Sequence, residues 1–161
     1  MHTDLWNHAV ALYARPGVEM ACLELQALGC DVCLLLCGTW LQARQVMPDA
    51  VRAQALREIT RAWQHDVVEK LRAIRSSWRE AASQDAQLAG LREQVKALEL
   101  QAERIQLHRL QALATAWPSA PQAPAGDWLA WLAADRARGH AALHRLRDMA
   151  RQMRDQPLDD D

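Results

Sequence analysis

The sequence predicts an all-α protein, a single-domain bundle of five or six helices with a buried central helix near residues 30–43. Apolar side chains recur at three- and four-residue steps through most of the chain, the period of a helix with one buried face. No stretch alternates apolar and polar residues as a half-buried strand would. Breaking and capping residues gather at a few points, so the apolar periods fall into separate segments. A chain of 161 residues suits one domain with a core large enough to need no staples.

Thr3 or Asp4 caps a first helix whose apolar residues are Leu5, Trp6, Ala9, Val10, Leu12 and Tyr13. "RPG" at 15–17 ends it, because Pro16 disfavours helix at Arg15 and Gly17 permits a turn. A second helix starts near Val18, and Gly29 either interrupts or bends it. The next segment, Asp31 to Ala43, is apolar nearly all round, which marks a helix buried on every side. Asp49, after Pro48, is a natural cap for a long helix carrying Val51, Ala55, Ile59, Ala62, Trp63, Val67, Leu71, Ile74 and Trp78. "SQD" at 83–85 is a weak break. Leu88, Leu91, Val95, Leu98, Ala102 and Ile105 then follow heptad spacing, which predicts a packing seam over 88–105. Residues 1–117 are thus read as the helical core and the proline-rich 118–126 as a linker. Residues 127–156 are read as a C-terminal helix, capped by Asp127 and packed back on the core, with 157–161 an acidic tail.

Composition narrows the function classes. A net charge of −1 supplies no global field for nucleic acid or an acidic membrane surface. The longest apolar run, Val32 to Leu41, is far short of the ~20 residues that span a bilayer. The N-terminus has no basic region followed by an apolar stretch, so a cytoplasmic location is expected. The four cysteines are then expected as thiols. Phenylalanine is absent and tryptophan occurs seven times, so tryptophan supplies the large core volumes.

"GCDVCLLLCGTW" at 29–40 poses the main chemical question. Cys22, Cys30, Cys33 and Cys37 fall along one helical stripe, which invites a metal or cluster reading. A straight helix, however, presents at most two or three thiolates to one ion, and no second CxxC pair exists. Buried cysteine is also a common small filler of cores. The polar residues nearby are more unusual. Asp31 must be capped, paired or exposed, because a buried carboxylate without a partner is costly. One reading makes it the N-cap of the central helix. The other makes it a buried ion pair with an arginine, since Arg72, Arg75 and Arg79 form a stripe and an arginine fork matches a carboxylate. Gln26, Asp31, Arg72, Arg75 and Arg79 are therefore the candidate ligand- or partner-binding residues.

Other constellations carry less. His140 and His144 have a metal-gripping spacing but no third ligand nearby, and a solvated helix face explains them. The terminal "DDD" reads as a solubilising tail. Ser76, Ser77 and Ser83 have no nucleophile-elbow motif, and His65 and His108 stand isolated. No Glu-x-x-His occurs, which disfavours a di-iron bundle. No catalytic residue, metal ligand or cofactor is expected.

"LYARPGVEMACLELQALGCDVCLLLCGTWL" resembles the opening of a proteobacterial family catalogued as a domain of unknown function. That family's signature runs LY-x2-PGV-x3-CL-x-LQ-x4-DV-x-LL-x4-WL. Its positions are met by Leu12, Tyr13, Pro16, Gly17, Val18, Cys22, Leu23, Leu25, Gln26, Asp31, Val32, Leu34, Leu35, Trp40 and Leu41. Trp63, Val67, Val68, Leu71, Arg72, Arg75 and the segment "ELQAER" extend the similarity to roughly residues 5–113. The resemblance implies an all-helical cytoplasmic protein and names no activity. The family tends to carry Asn at the position of Cys33, so the resemblance implies that its shared polar residues are Gln26, Asp31 and the arginines.

Three functional readings follow. The leading one is a non-catalytic, regulatory protein acting through protein–protein interaction, with homo-oligomerisation through the 88–105 seam as one form. The alternative is a small-ligand or anion-binding bundle using the Arg72/Arg75 stripe with Gln26 and Asp31. The least favoured is a metalloprotein or enzyme using the cysteines. No nucleic acid or membrane partner is expected.

Overall fold

The structure, a computed structural model, describes residues 3–156, so the acidic tail expected at 157–161 lies outside the described residues. Aspartate caps set where most helices begin, because each supplies an acceptor for backbone N–H groups that have no partner inside the helix. α1 (Leu5–Tyr13) starts after Asp4, whose carboxylate accepts the Asn7 N–H at 2.8 Å. α2 (Val18–Ala27) follows Gly17, which sits at φ 83°. Asp31 caps α3 (Val32–Ala43) and Asp49 caps α4 (Ala50–Trp63). α4 continues through a π-helical turn, Gln64–Val68, into α5 (Glu69–Ser77) and the single turn α6 (Arg79–Ala82). Asp85 caps the longest helix, α7 (Ala86–Ala114), with bonds from both Gln87 and Leu88 N–H. Asp127 caps α8 (Trp128–Leu132), and α9 (Ala141–Asp155) completes the described chain.

Every regular element among the described residues is helical. The expected five or six helices are exceeded, for three local reasons. The π turn and a break at Trp78 divide what reads in sequence as one rod over 49–82. The single helix expected over 127–156 is two, because Ala133 and Ala134 are extended, with ψ near 146° and 149°. His140 then caps α9, its Nδ1 accepting the Ala142 N–H, and one turn on His144 Nδ1 accepts from Arg147 Nη1 at 3.0 Å.

α3 is the hub. Every residue from Cys33 to Leu41 is buried. α1, α7 and α8 pack on it from different sides, and α9 lies across α2. Gly29 makes this arrangement possible at the α2–α3 corner. It adopts φ 90°, and the Cys30 and Gly29 N–H groups return to the Leu25 and Gln26 carbonyls, the hydrogen-bond pattern of a left-handed helix stop. Gly38 lets α8 approach closely, since a Cβ there would meet Leu132 Cδ1 at 3.1 Å.

Tryptophan does fill the core, at Trp40 and Trp128. Trp128 is fully buried, donates from Nε1 to the Val46 carbonyl at 2.6 Å, and stacks on Trp117. Trp40 is buried too, with its Nε1 on the Thr3 carbonyl. Trp63 is only half-buried and lies under the Arg109 guanidinium. Large-to-small truncation of a buried tryptophan costs ~3–5 kcal/mol. Chemical denaturation should therefore find Trp40→Ala and Trp128→Ala both in that range, and Trp63→Ala clearly less destabilising.

Candidate functional site

Helices α1, α2, α3 and α7 do not close completely on one another. They leave an open-sided cavity of about 440 Å³. Trp6, Ala9, Val10 and Tyr13 of α1 form one wall and Cys22, Leu23 and Gln26 of α2 another. The floor is the N-terminal turns of α3, with Val32, Cys33 and Leu36, and the capping residue Asp31. Leu100, Glu103 and Leu107 of α7 close the far side, where Gln64 from the π turn and Arg72 from α5 also reach in. Three of the five candidate residues, Gln26, Asp31 and Arg72, therefore meet in one groove. Arg75 lies behind it, and Arg79 is exposed on α6 outside it.

Asp31 resolves the choice between cap and ion pair. One carboxylate oxygen accepts the Leu34 N–H at 3.3 Å, and the other accepts Gln106 Nε2 at 2.7 Å. No arginine fork reaches it: Arg72 contributes only the field of a nearby charge. Burial dominates, raising the Asp31 carboxyl to about 6 against the opposing pull of Leu34, Gln106, Cys33 and Arg72. Gln106 is itself buried, and its carbonyl Oε1 finds no donor among the described residues.

The arginines are engaged elsewhere. Arg72 Nε donates to Glu99 Oε1 at 3.1 Å and its Nη2 to Glu103 Oε1 at 3.0 Å. Arg75 takes Glu99 with both Nε and Nη2, the latter at 3.2 Å. Arg92 Nε in turn holds the Arg75 carbonyl at 2.9 Å. Burial works against the Glu99 charge, but hydrogen bonds and charge from Arg75 and Arg72 outweigh it, leaving Glu99 below its usual range. At Glu103 burial wins over the Arg72 charge and the pKa is raised. Arg72 and Arg75 of the basic stripe thus belong to an internal ion-pair network facing Glu99 and Glu103, while Arg79 stays outside it.

The thiols are quiet. All four cysteines are buried and unpaired. Desolvation pushes Cys22 up to about 12 and raises Cys30, Cys33 and Cys37, so none is a thiolate nucleophile near neutral pH. Among the described residues no cluster of three His, Cys, Asp or Glu could hold a metal. On α7 the heptad seam splits. Ala102 is buried, whereas Leu91, Leu98 and Ile105 are exposed. The inward line keeps Val95 and Ala102 of that seam and adds Arg92, Glu99 and Gln106.

Behind the groove floor, buried His8 bonds to Thr39 Oγ1 at 2.9 Å while Thr39 donates to the Leu36 carbonyl at 2.7 Å. His8 Nε2 must then carry the proton in this pair. Burial lowers His8 to about 4. His8 and Asp31 have opposite linkage. A neutral buried histidine contributes stability above about 6.5 that is lost as pH falls toward 4. A carboxyl raised to about 6 costs stability once ionised, a cost relieved as pH falls from 6 toward 4. The two slopes oppose each other in the same window. Melting temperatures between pH 7 and 4.5 should accordingly fall more steeply for Asp31→Asn than for the parent, and less steeply for His8→Gln.

A model of the family described as "Protein of unknown function (DUF2390)" matches residues 4–110. No curated protein and no solved structure matches the chain. The matched span ends near the close of α7, leaves α8 and α9 outside, and contains every residue that lines the groove. By this match over most of its length, the chain belongs to that family of proteins of unknown function.

Proposed function

We propose that the protein is a binding protein whose site is the α1–α2–α3–α7 groove, and that its ligand is a small, largely apolar molecule. One observation carries the reading: an apolar-walled cavity of about 440 Å³ has Asp31, Gln26, Arg72 and Glu103 among the residues that line it. Ligand sites are typically cavities of ~300–1,000 Å³ with apolar walls and a few convergent polar groups. Binding fits the groove better than nucleophilic catalysis, because its thiols are held protonated and its carboxylates are already hydrogen-bonded. An apolar ligand fits better than an anion, because the Arg72 and Arg75 forks are taken by Glu99 and Glu103. No helix among the described residues is long and apolar enough to cross a membrane. Four buried thiols without a disulfide suit a reducing compartment, so we place the protein in the cytoplasm.

A second reading, protein–protein interaction with a second copy of the chain, is favoured by the free side of α7. No residue of α5 or α6 is buried, and none of α7 before Glu99. Leu91 and Leu98 are each 51% exposed and Ile105 is 38% exposed, at heptad spacing along one line. A leucine line with that repeat is what two helices use to pair.

The neutral fluorophore N-phenyl-1-naphthylamine should bind one per chain with enhanced emission. Leu100→Gln, a change at a half-exposed groove residue, should weaken it about tenfold, roughly 1.4 kcal/mol. Equal affinity in parent and variant contradicts the groove as the site. For the second reading, light scattering should find a dimer that the Leu91→Gln/Leu98→Gln double variant converts to monomer. A monomeric parent at high concentration rejects it.

A further inference from the structure

The polar end of the groove is short of donors. Asp31 and Glu103 are both lining residues, and Arg72 is the one cation among the lining residues. Arg72 already spends Nε on Glu99 and Nη2 on Glu103. The hydrogen-bond partners of Asp31 are neutral, the α3 N-terminus and the Gln106 amide, and Arg72 acts on it only as a nearby charge. The carbonyl of that same amide, behind Asp31 and not itself a lining residue, is buried with no donor among the described residues. Glu19 adds a further negative charge, felt at Tyr13 and Cys22 near the mouth. The nearby Arg104 lies over the Trp6 ring, 4.6 Å from its centroid. Taken with Arg75 and Glu99, two guanidinium groups face three carboxylates around this wall.

From this imbalance we infer that the groove selects a ligand with a protonated nitrogen at one end of an apolar body, the ammonium lying between Asp31 and Glu103. The inference rests on the apolar-groove reading and adds the chemistry of the head group. Three conditions support it. A carboxylate whose hydrogen bonds are all to neutral groups, in a partly dry site, favours any further cation that reaches it. An ammonium brings up to three N–H donors, and the cluster offers spare acceptors on Asp31 and Glu103. An anionic head would meet two carboxylates and a guanidinium already bonded to two of its own. The apolar walls of α1, α2 and α7, with Val10, Leu23 and Leu100 half-exposed at the rim, would cover the hydrocarbon part.

The test displaces N-phenyl-1-naphthylamine from the full chain at pH 7.5 with hexylammonium, hexan-1-ol and hexanoate, which share a chain length and differ in head charge. Hexylammonium should displace the fluorophore at a concentration at least tenfold below hexanol, with hexanoate weakest. In Asp31→Asn, where asparagine keeps a helix cap, the preference for ammonium over alcohol should shrink to within about threefold. Glu103→Gln, at a half-buried surface position, should reduce it as well, and circular dichroism establishes that both variants fold. Hexanoate displacing as well as hexylammonium overturns the inference, as does a preference unchanged in both variants. So does a bound fluorophore that all three molecules displace equally, or that none displaces; in those cases the apolar groove stands and only the head-group assignment fails. A fluorophore that does not bind at all removes both.

Discussion

The constraint on which the structure depends is that α3 has no polar face. Nine consecutive residues, Cys33 to Leu41, are buried, so the helix has to be covered on every side. Each fully buried leucine-sized side chain contributes ~1.5–3 kcal/mol, and that sum is available only if neighbours surround the whole cylinder. α1, α7 and α8 supply the cover, and α9 secures α2. Cysteine suits this helix because it is small enough to let several neighbours approach at once. The same need explains Gly38, which admits α8, and the Asp31 cap, which starts the helix without leaving its first N–H groups unmet. At the N-terminal end of α3 the cover is incomplete, and there the groove opens.

The ion-pair network gives that opening its chemistry. α5 and α7 meet through Arg72, Arg75, Glu99 and Glu103, with Glu99 almost fully buried. A buried carboxylate stripped of its partner destabilises a fold strongly, so these arginines are committed to α7 and withdrawn from any incoming anion. What remains at the groove wall is Asp31, hydrogen-bonded to a neutral amide, and Glu103, shared with Arg72. The network therefore holds two helices together and sets the sign of charge the groove can accept.

Much of this was legible in the sequence, and the rest was not for identifiable reasons. The all-round apolar pattern of 32–41 marked the central helix because nothing else in a chain without a membrane-length run explains it. Gln26 and Asp31 stood out as polar residues in apolar surroundings, and the groove brings them together with Arg72. Glu99 and Glu103 entered only within the "ELQAER" segment and Gln106 not at all, because a polar residue on an amphipathic helix reads as solvated. A signal did exist: Arg72 and Arg75 are three apart and Glu99 and Glu103 four apart, the spacings of two facing helical turns. The expected seam on α7 is divided: α5 reaches α7 with arginines and covers the line carrying Glu99, Val95 and Ala102, while Leu91, Leu98 and Ile105 stay exposed. The π turn left no mark, for one extra residue at 64–68 hides within three- and four-residue steps. The extended pair Ala133–Ala134 was invisible because alanine is the best helix former.

Methyl-selective NMR on leucine- and valine-labelled protein titrated with hexylammonium tests the central claim most directly. The account requires saturable shifts at Val10, Leu23, Val32, Leu36, Leu100 and Leu107, with Leu129, Leu132 and Leu143 unmoved. Shifts confined to Leu91 and Leu98, or spread evenly over the core, contradict it.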